Sequence, residues 1–93
     1  MIQDIRDIYQ EVEKFMDQEI TLQGWIRNHR KQKEFGFIDF NDGTYFKGVQ
    51  IIYDNTLPDF EEIQKLRVGC ALTVKGTLKK SPKENQAFEL HLS

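Results

Sequence analysis

The chain has 93 residues and a formal net charge of −2 at pH 7, and its hydrophobic (39%) and charged (30%) fractions are those of an ordinary soluble domain. The negative net charge argues against a general polyanion-binding protein. The single cysteine, Cys70, excludes a disulfide framework and a cysteine-based zinc site, and no apolar run reaches membrane-spanning length. We expect no membrane partner and a reducing, cytoplasmic location.

The charges are unevenly distributed along the chain. Residues 1–19 and 54–66 are acidic, whereas the basic residues gather in two stretches. The first stretch holds Arg27, Arg30, Lys31 and Lys33, and the second holds Lys75, Lys79, Lys80 and Lys83. If the two stretches meet in space, they form one basic face, which suits a local and specific RNA contact better than DNA coating.

The first predicted element is an amphipathic helix over residues 3–16, because Ile5, Ile8, Val12 and Phe15 recur at helical spacing. We expect its apolar stripe to pack on the domain. From Ile20 the apolar period changes to two, which predicts a first strand. Gly24 interrupts this strand, which indicates a bulge or a sharp bend at that point.

Two further strands are predicted around a turn. Residues 35–41 form the second strand, with Ile38 and Phe40 on the core face and Phe37 on the opposite face. The tripeptide at 41–43, Asn-Asp-Gly, is a strong turn signal. Residues 46–54 form the third strand, with Val49, Ile51 and Tyr53 on one face and Gln50 and Ile52 on the reverse.

A short helix is predicted next, capped by Thr56 or Asn55, with Pro58 in its first turn and Gly69 after its end. Its inner residues are expected to be Phe60, Ile63 and Leu66. A fourth strand follows over residues 71–79, then a polar turn around Ser81 and Pro82. A fifth strand runs from Gln86 to the end, with Phe88, Leu90 and Leu92 on one face.

This order predicts a mainly β protein, a five-stranded Greek-key barrel of the OB type. A long, bent first strand and a helix between strands three and four are typical of that fold. We expect one domain over residues 1–93, in which residues 1–18 form a helical extension and residues 19–93 form the barrel.

Catalytic residues are not recognisable in the sequence. His29 and His91 are isolated, there is no glycine-rich phosphate loop, and no His, Cys or Asp cluster has metal-ligand spacing. His29, beside Arg27 and Arg30, is interpreted as a surface polar residue or a phosphate contact. The sequence therefore predicts that this chain is not an enzyme on its own, and that it holds neither cofactor nor metal.

Binding of single-stranded nucleic acid fits the pattern better. OB barrels bind single strands with a positive groove and an aromatic platform. The four basic residues of the first stretch supply the groove, Phe37 supplies the platform, and the Gln50 amide can donate to and accept from a base edge. Other interpretations stay open: the N-terminal helix covers Phe37, the basic run is a solvated loop, and Trp25 packs structurally instead of contacting a base.

A family resemblance rests on five segments with matching spacing. They are GWIRNHR at residues 24–30, FIDFNDGT at 37–44, VQII at 49–52, VKGTL at 74–78 and QAFEL at 86–90. Together they resemble the N-terminal anticodon-binding domain of class IIb aminoacyl-tRNA synthetases, and the asparaginyl-tRNA synthetase branch most. The resemblance covers essentially the whole chain and implies binding of a tRNA anticodon stem-loop, in particular that of tRNA-Asn.

The resemblance also implies roles for individual residues. Phe37 matches a phenylalanine that stacks on the central anticodon uridine, and Gln50 matches a glutamine that hydrogen-bonds that uridine. Arg30 matches an arginine that contacts the loop, and Glu89 matches an acid that reads the first anticodon base. The turn over residues 79–86 lies where the third base would be sensed.

Members of this family continue into a catalytic domain that holds the ATP, magnesium and dimer motifs, none of which occurs here. We therefore interpret the chain as an excised domain of an asparagine–tRNA ligase, with a stand-alone relative as the alternative. A homodimer is expected of the parent enzyme, through its catalytic domain. Two other functions stay open, a general single-stranded nucleic acid OB domain and a protein-interaction OB domain.

Overall fold

The computed structural model describes residues 2–81 and 88–93. Three short helices and five strands follow the predicted order along these residues. The elements are α1 (Ile5–Gln10), α2 (Val12–Phe15), β1 (Glu19–Lys31), β2 (Phe35–Asn41), β3 (Val49–Asp54), α3 (Phe60–Gln64), β4 (Ala71–Lys80) and β5 (Phe88–Leu92). The predicted start of the fifth strand at Gln86 lies outside the described residues, as does most of the turn around Ser81 and Pro82.

The strands close into a barrel in the order β1-β2-β3-β5-β4, which confirms the predicted OB-type architecture. The long strand β1 makes the closure possible, because its first half pairs with β4 and its second half pairs with β2. All pairings are antiparallel except that of β3 with β5. Each strand therefore has two neighbours, and the barrel presents a continuous outward surface.

The core follows from alternation along the strands, with one change of phase in β1 between Ile26 and Asn28. Residues of one parity point inward and meet the apolar side of α1, whose Ile5 and Ile8 are fully buried. The strands contribute Ile20, Leu22, Ile26, Ile38, Phe40, Val49, Ile51, Tyr53, Val74, Leu78, Phe88 and Leu90. Truncation of any one of the large aliphatic members to alanine is expected to cost about 2–5 kcal/mol.

The bulge in β1 lies three residues beyond the predicted position. The register against β2 shifts between Ile26 and Asn28, which makes Arg27 the extra residue. Gly24 has a different role, because a Cβ at this position would lie 2.1 Å from the carbonyl oxygen of Asn41. Gly24 is thus required by a close approach of two backbones and not by a bulge.

The predicted helix over residues 3–16 is two helices, broken at Glu11, whose backbone (φ −131°, ψ 47°) leaves the helical region. Val12 and Phe15, beyond the break, are half-buried against the barrel core. The apolar stripe thus continues across the break, although the helix itself does not. None of the helices within residues 2–81 and 88–93 is long and apolar enough to cross a membrane.

Two boundaries in the middle of the chain also differ from prediction. Strand β3 begins at Val49 instead of residue 46, because the preceding residues form a loop held by side-chain hydrogen bonds. Helix α3 begins after Asp59, so Pro58 precedes it and neither Thr56 nor Asn55 caps it. Thr56 instead donates its amide to the carboxylate of Asp54 at 3.0 Å and closes a turn at the end of β3.

Candidate nucleic-acid interface

The outward face of the barrel carries two parallel rows of side chains across the strands. In one row, Arg30 lies opposite Phe37, Phe37 opposite Ile52, and Ile52 opposite His91. This row, which we call the stacking row, is aromatic and apolar in the middle and ends in a basic side chain and an imidazole. A planar base can lie flat on such a surface.

The second row, which we call the polar row, lies two residues along each strand. Asn28 pairs with Asp39, and Asp39 pairs with Gln50. Glu89 continues the row. Ile51 pairs with Leu90 in the parallel ladder, so the residues that precede them, Gln50 and Glu89, are also neighbours. The residues of the polar row thus lie about 7 Å along the strands from those of the stacking row. The two rows together can hold a base by its face and identify it by its edge.

Phe37 is half-buried, and its ring meets that of Phe35 edge to face at 5.3 Å. The N-terminal helix packs at the other end of β2. The amide of Ile5 donates to Asp42 at 2.9 Å, and the hydroxyl of Tyr9 donates to the carbonyl of Gly48 at 2.6 Å. These contacts hold α1 on the loop between β2 and β3, which weakens the alternative that α1 covers Phe37.

The first basic stretch is exposed around this face. Arg30 and Lys31 end β1, Lys33 lies in the turn to β2, and Arg27 lies at the bulge. Of the second stretch, Lys79 lies opposite Glu89 and so next to the polar row. Lys75 and Lys79 on β4 pair with Glu19 and Asp17, at 3.4 and 3.2 Å, and Lys83 lies outside the described residues. The charges of Lys75 and Lys79 are therefore paired with carboxylates.

His29 is a structural residue, and its interpretation as a surface group or phosphate contact is wrong. After the bulge its side chain turns toward the core, where it is half-buried. Its Nδ1 lies 2.9 Å from the carbonyl oxygen of Leu66 and its Nε2 lies 2.6 Å from the hydroxyl of Tyr53. Since a carbonyl only accepts, Nδ1 carries the proton of the neutral ring and Nε2 accepts from Tyr53. His29 thereby ties the binding strand to β3 and to the segment after α3.

Glu89 is almost fully covered, with 7% of its surface exposed, although it points outward. Its carboxylate lies 3.0 Å from Nε2 of His91, two residues along β5. Both residues lie on the face that carries Phe37 and Gln50. The structure therefore brings Arg30, Phe37, Gln50 and Glu89 to one surface, together with His91 and Ile52.

Three other ionisable groups around the barrel have shifted pKa values. Burial raises the pKa of Tyr9, with the nearby Tyr45 and Asp39 adding to the effect. Burial also raises the pKa of Tyr53, against an opposing hydrogen bond from Gln64. The hydroxyl and amide of Thr56 lower the pKa of Asp54, an effect to which His91 adds.

The turn at residues 41–43 supports the rim of the face. The amide of Gly43 donates to Asn41 Oδ1 at 2.7 Å, and Gly43 has the left-handed φ of 82° that a glycine supplies without strain. Trp25 is 40% exposed, and its ring lies against Gly43. Trp25 thus packs against the turn at Gly43, although part of its surface is exposed. Across residues 2–81 and 88–93, no three His, Cys, Asp or Glu side chains gather closely enough to hold a metal ion.

Sequence reasoning did not include Ile52, His91, Asn28 or Asp39 in the site. Alternation along the third strand predicts that Ile52 points outward, and an apolar residue on the same face as Phe37 indicates a binding surface. The position of His91 beside Ile52 cannot be predicted from the sequence, because the parallel pairing of β3 with β5 is a property of the closed barrel.

Comparison with known proteins places this face in context. Residues 20–93 match the tRNA anticodon family model, described as an OB-fold nucleic acid binding domain. The asparagine–tRNA ligase of Acholeplasma laidlawii is 47% identical over 87 residues, which are 92% of this chain and 19% of that protein. That of Desulfitobacterium hafniense is 44% identical over 86 residues, again 19% of its length. The chain thus spans about one fifth of these relatives.

Solved structures share the fold. Asparaginyl-tRNA synthetase from Pyrococcus horikoshii superimposes with a TM-score of 0.73 at 21% identity, over 85% of this chain and 19% of that one. At these low identities the likeness concerns the fold alone.

Proposed function

The chain belongs to the tRNA anticodon family of OB-fold nucleic acid binding domains, and we propose on this premise that it reads the anticodon loop of a tRNA. The observation that carries the proposal is the pairing of the two rows on one face. Phe37 lies in the stacking row, and Gln50 lies in the polar row on the neighbouring strand. A single unstacked base can engage both residues at once.

The central anticodon base is the proposed ligand of this pair. We assign Phe37 to stacking on a uridine and Gln50 to its Watson–Crick edge. That edge presents one N–H donor beside carbonyl acceptors, and a glutamine amide offers both complementary groups. Stacking supplies about 1–3 kcal/mol per base without selecting it, so the hydrogen bonds of Gln50 provide the selection.

The exposed basic residues are assigned to the phosphates of the loop. Arg30 lies next to Phe37 across the ladder, which places a cation beside the backbone of a base stacked on that ring. Lys31, Lys33 and Arg27 extend the positive surface along β1 and its turn. Contacts of this kind fix the position of the strand and depend on salt.

We further propose that the chain is the anticodon-recognition part of an asparagine–tRNA ligase, and that its tRNA is tRNA-Asn. The support is the identity of 41–47% to such ligases over 92–96% of the chain. ATP, magnesium, attachment of asparagine and a dimer interface would then belong to the remaining four fifths of such a protein, in the cytoplasm. Sensing of the third base is assigned to the turn over residues 79–86, of which residues 82–86 lie outside the described part.

Binding of three anticodon stem-loops tests the proposal against its alternatives. Loops with the triplets GUU and GUC and a loop with an unrelated triplet are compared by fluorescence anisotropy. A preference for the loops with a central U supports anticodon recognition. Equal affinity for all three indicates a general single-strand binder, and no binding even at low salt indicates a protein-interaction domain.

A further inference from the structure

His91 occupies a position on the binding face that neither its sequence context nor the family match assigns. It lies in the stacking row beside Ile52, and Thr77 of β4 is opposite it on the other side. Its side chain is exposed by 46%. The imidazole is therefore available at the surface where the proposed RNA lies, two strands from Phe37.

The nearest polar partner of His91 is the carboxylate of Glu89. The Glu89 side chain is 9% exposed, so few waters reach its charged end, and a charge with little solvation requires hydrogen-bond donors. Nε2 of His91 supplies one at 3.0 Å. Lys79 lies opposite Glu89 in the ladder, but its ammonium group is 3.2 Å from Asp17. His91 is thus the donor that the described contacts assign to this carboxylate.

A carboxylate only accepts hydrogen bonds, so its direction determines which base edge it can bind. The Watson–Crick edge of guanine presents two adjacent N–H donors, whereas adenine, cytosine and uracil each present an acceptor next to a donor. A fixed carboxylate therefore favours guanine at the neighbouring position of the loop. A carboxylate free to rotate loses part of this discrimination.

We propose that His91 is a positioning residue, which donates from Nε2 to Glu89 and holds its carboxylate toward the first anticodon base. The proposal rests on the proposed function, because it requires that the loop lies on this face. In this proposal His91 orients the Glu89 carboxylate and does not contact the base.

Two substitutions distinguish the hydrogen-bond donor of His91 from the volume of its side chain. In His91→Gln, an amide N–H takes the place of the Nε2 donor. In His91→Leu, the volume is kept and the donor is removed. Thr77→Val is the matched control, because Thr77 lies opposite His91 in the ladder, whereas Glu89 lies opposite Lys79.

The experiment measures affinity for four stem-loops that differ only in the first anticodon base and keep the central U. The wild-type chain is expected to prefer G, and His91→Leu to reduce the G-to-A affinity ratio about tenfold, the effect of one lost hydrogen bond to a charged group. His91→Gln and Thr77→Val are expected to keep the wild-type ratio. An unchanged ratio in His91→Leu overturns the proposal, as does an equal loss in His91→Gln.

A second measurement covers the case in which a variant does not fold. In the wild-type chain, the ¹⁵N signals of the His91 ring report which nitrogen carries the proton. Protonation at Nε2 in the complex supports the proposal, and an unprotonated Nε2 overturns it. If the wild-type chain shows no preference for a central U, the proposed function fails and this proposal fails with it. If that preference is present and only the first-base effect is absent, this proposal fails alone.

Discussion

Arg30 lies directly opposite Phe37 across the ladder between β1 and β2. The bulge at Arg27 produces this pair. Before the bulge Ile26 pairs with Phe40, and continuing that register would place His29 opposite Phe37. The extra residue moves His29 to the core side and brings Arg30 opposite Phe37. A shift of one residue thus decides which side chain lies beside Phe37 on the outward face.

Phe37→Ala is expected to weaken binding of a stem-loop with a central uridine by about 1–3 kcal/mol, the contribution of one stacked base. The matched control is Phe35→Ala, which removes a neighbouring ring on the same strand that is 41% exposed. Titration of both variants by fluorescence anisotropy measures the difference. Equal losses in the two variants would argue against a stacking site at Phe37.

Arg30→Ala is expected to lower the dependence of binding on salt by about one unit in the slope of log K against log salt, because one phosphate contact is lost. Arg67→Ala, an exposed arginine between α3 and β4, is the control and should leave the slope unchanged. The slopes come from titrations at several salt concentrations. A wild-type slope in Arg30→Ala would remove this residue from the phosphate contacts.

The bond between His29 and Tyr53 is expected to contribute about 0.5–1.5 kcal/mol to the free energy of unfolding. A double-mutant cycle with His29→Ala and Tyr53→Phe, followed by urea unfolding, measures this coupling directly. The two hydrogen bonds of His29 connect β1 with β3 and with Leu66. Strictly additive effects of the two substitutions would show that this hydrogen bond does not contribute to the free energy of unfolding.

Alkaline conditions are expected to destabilise the fold through Tyr9 and Tyr53. Both pKa values are raised from 10.0, so the folded state retains protons that the unfolded state has already released. This contribution to stability is complete below pH 10 and is lost as the pH rises through the folded-state values. Urea unfolding between about pH 8.5 and about pH 10.5 measures it.

Tyr9→Phe removes one of the two groups, and its stability should fall less steeply over that range than that of the wild type. The substitution also removes the hydrogen bond to Gly48, which lowers stability at pH values where the Tyr9 hydroxyl still carries the proton that it donates. Parallel curves for the two proteins would contradict the assignment to Tyr9.

The sequence was sufficient for the barrel because its signals are local. Alternation in β2 and in residues 49–54 of β3 identified the inward residues, and the turn at 41–43 lies where it was predicted. Phe37 and Gln50 were found for the same reason, since each lies on a strand with clear alternation. Local pattern therefore predicted the core and the outward positions of Phe37 and Gln50, whereas their roles in base recognition come from the family resemblance and stay predictions.

Other features depend on contacts between distant segments. The position of the bulge is set by how β1 is shared between β2 and β4, which no local pattern shows. The inward turn of His29 follows from that bulge, and its partners Tyr53 and Leu66 are 24 and 37 residues away. The break at Glu11 likewise has no signal in the apolar spacing, which continues through Val12 and Phe15. The bulge, the inward position of His29 and the break at Glu11 can therefore be described only from the structure.

The central claim, that the face of Phe37 and Gln50 reads a uridine in the middle of the anticodon, is tested most directly by changing that one base. The wild-type chain is titrated with four stem-loops that differ only at the central position. Affinity for U is expected to exceed that for C, A and G by about tenfold or more, and Gln50→Ala to remove most of this difference. Equal affinity of the wild-type chain for all four loops would contradict the claim.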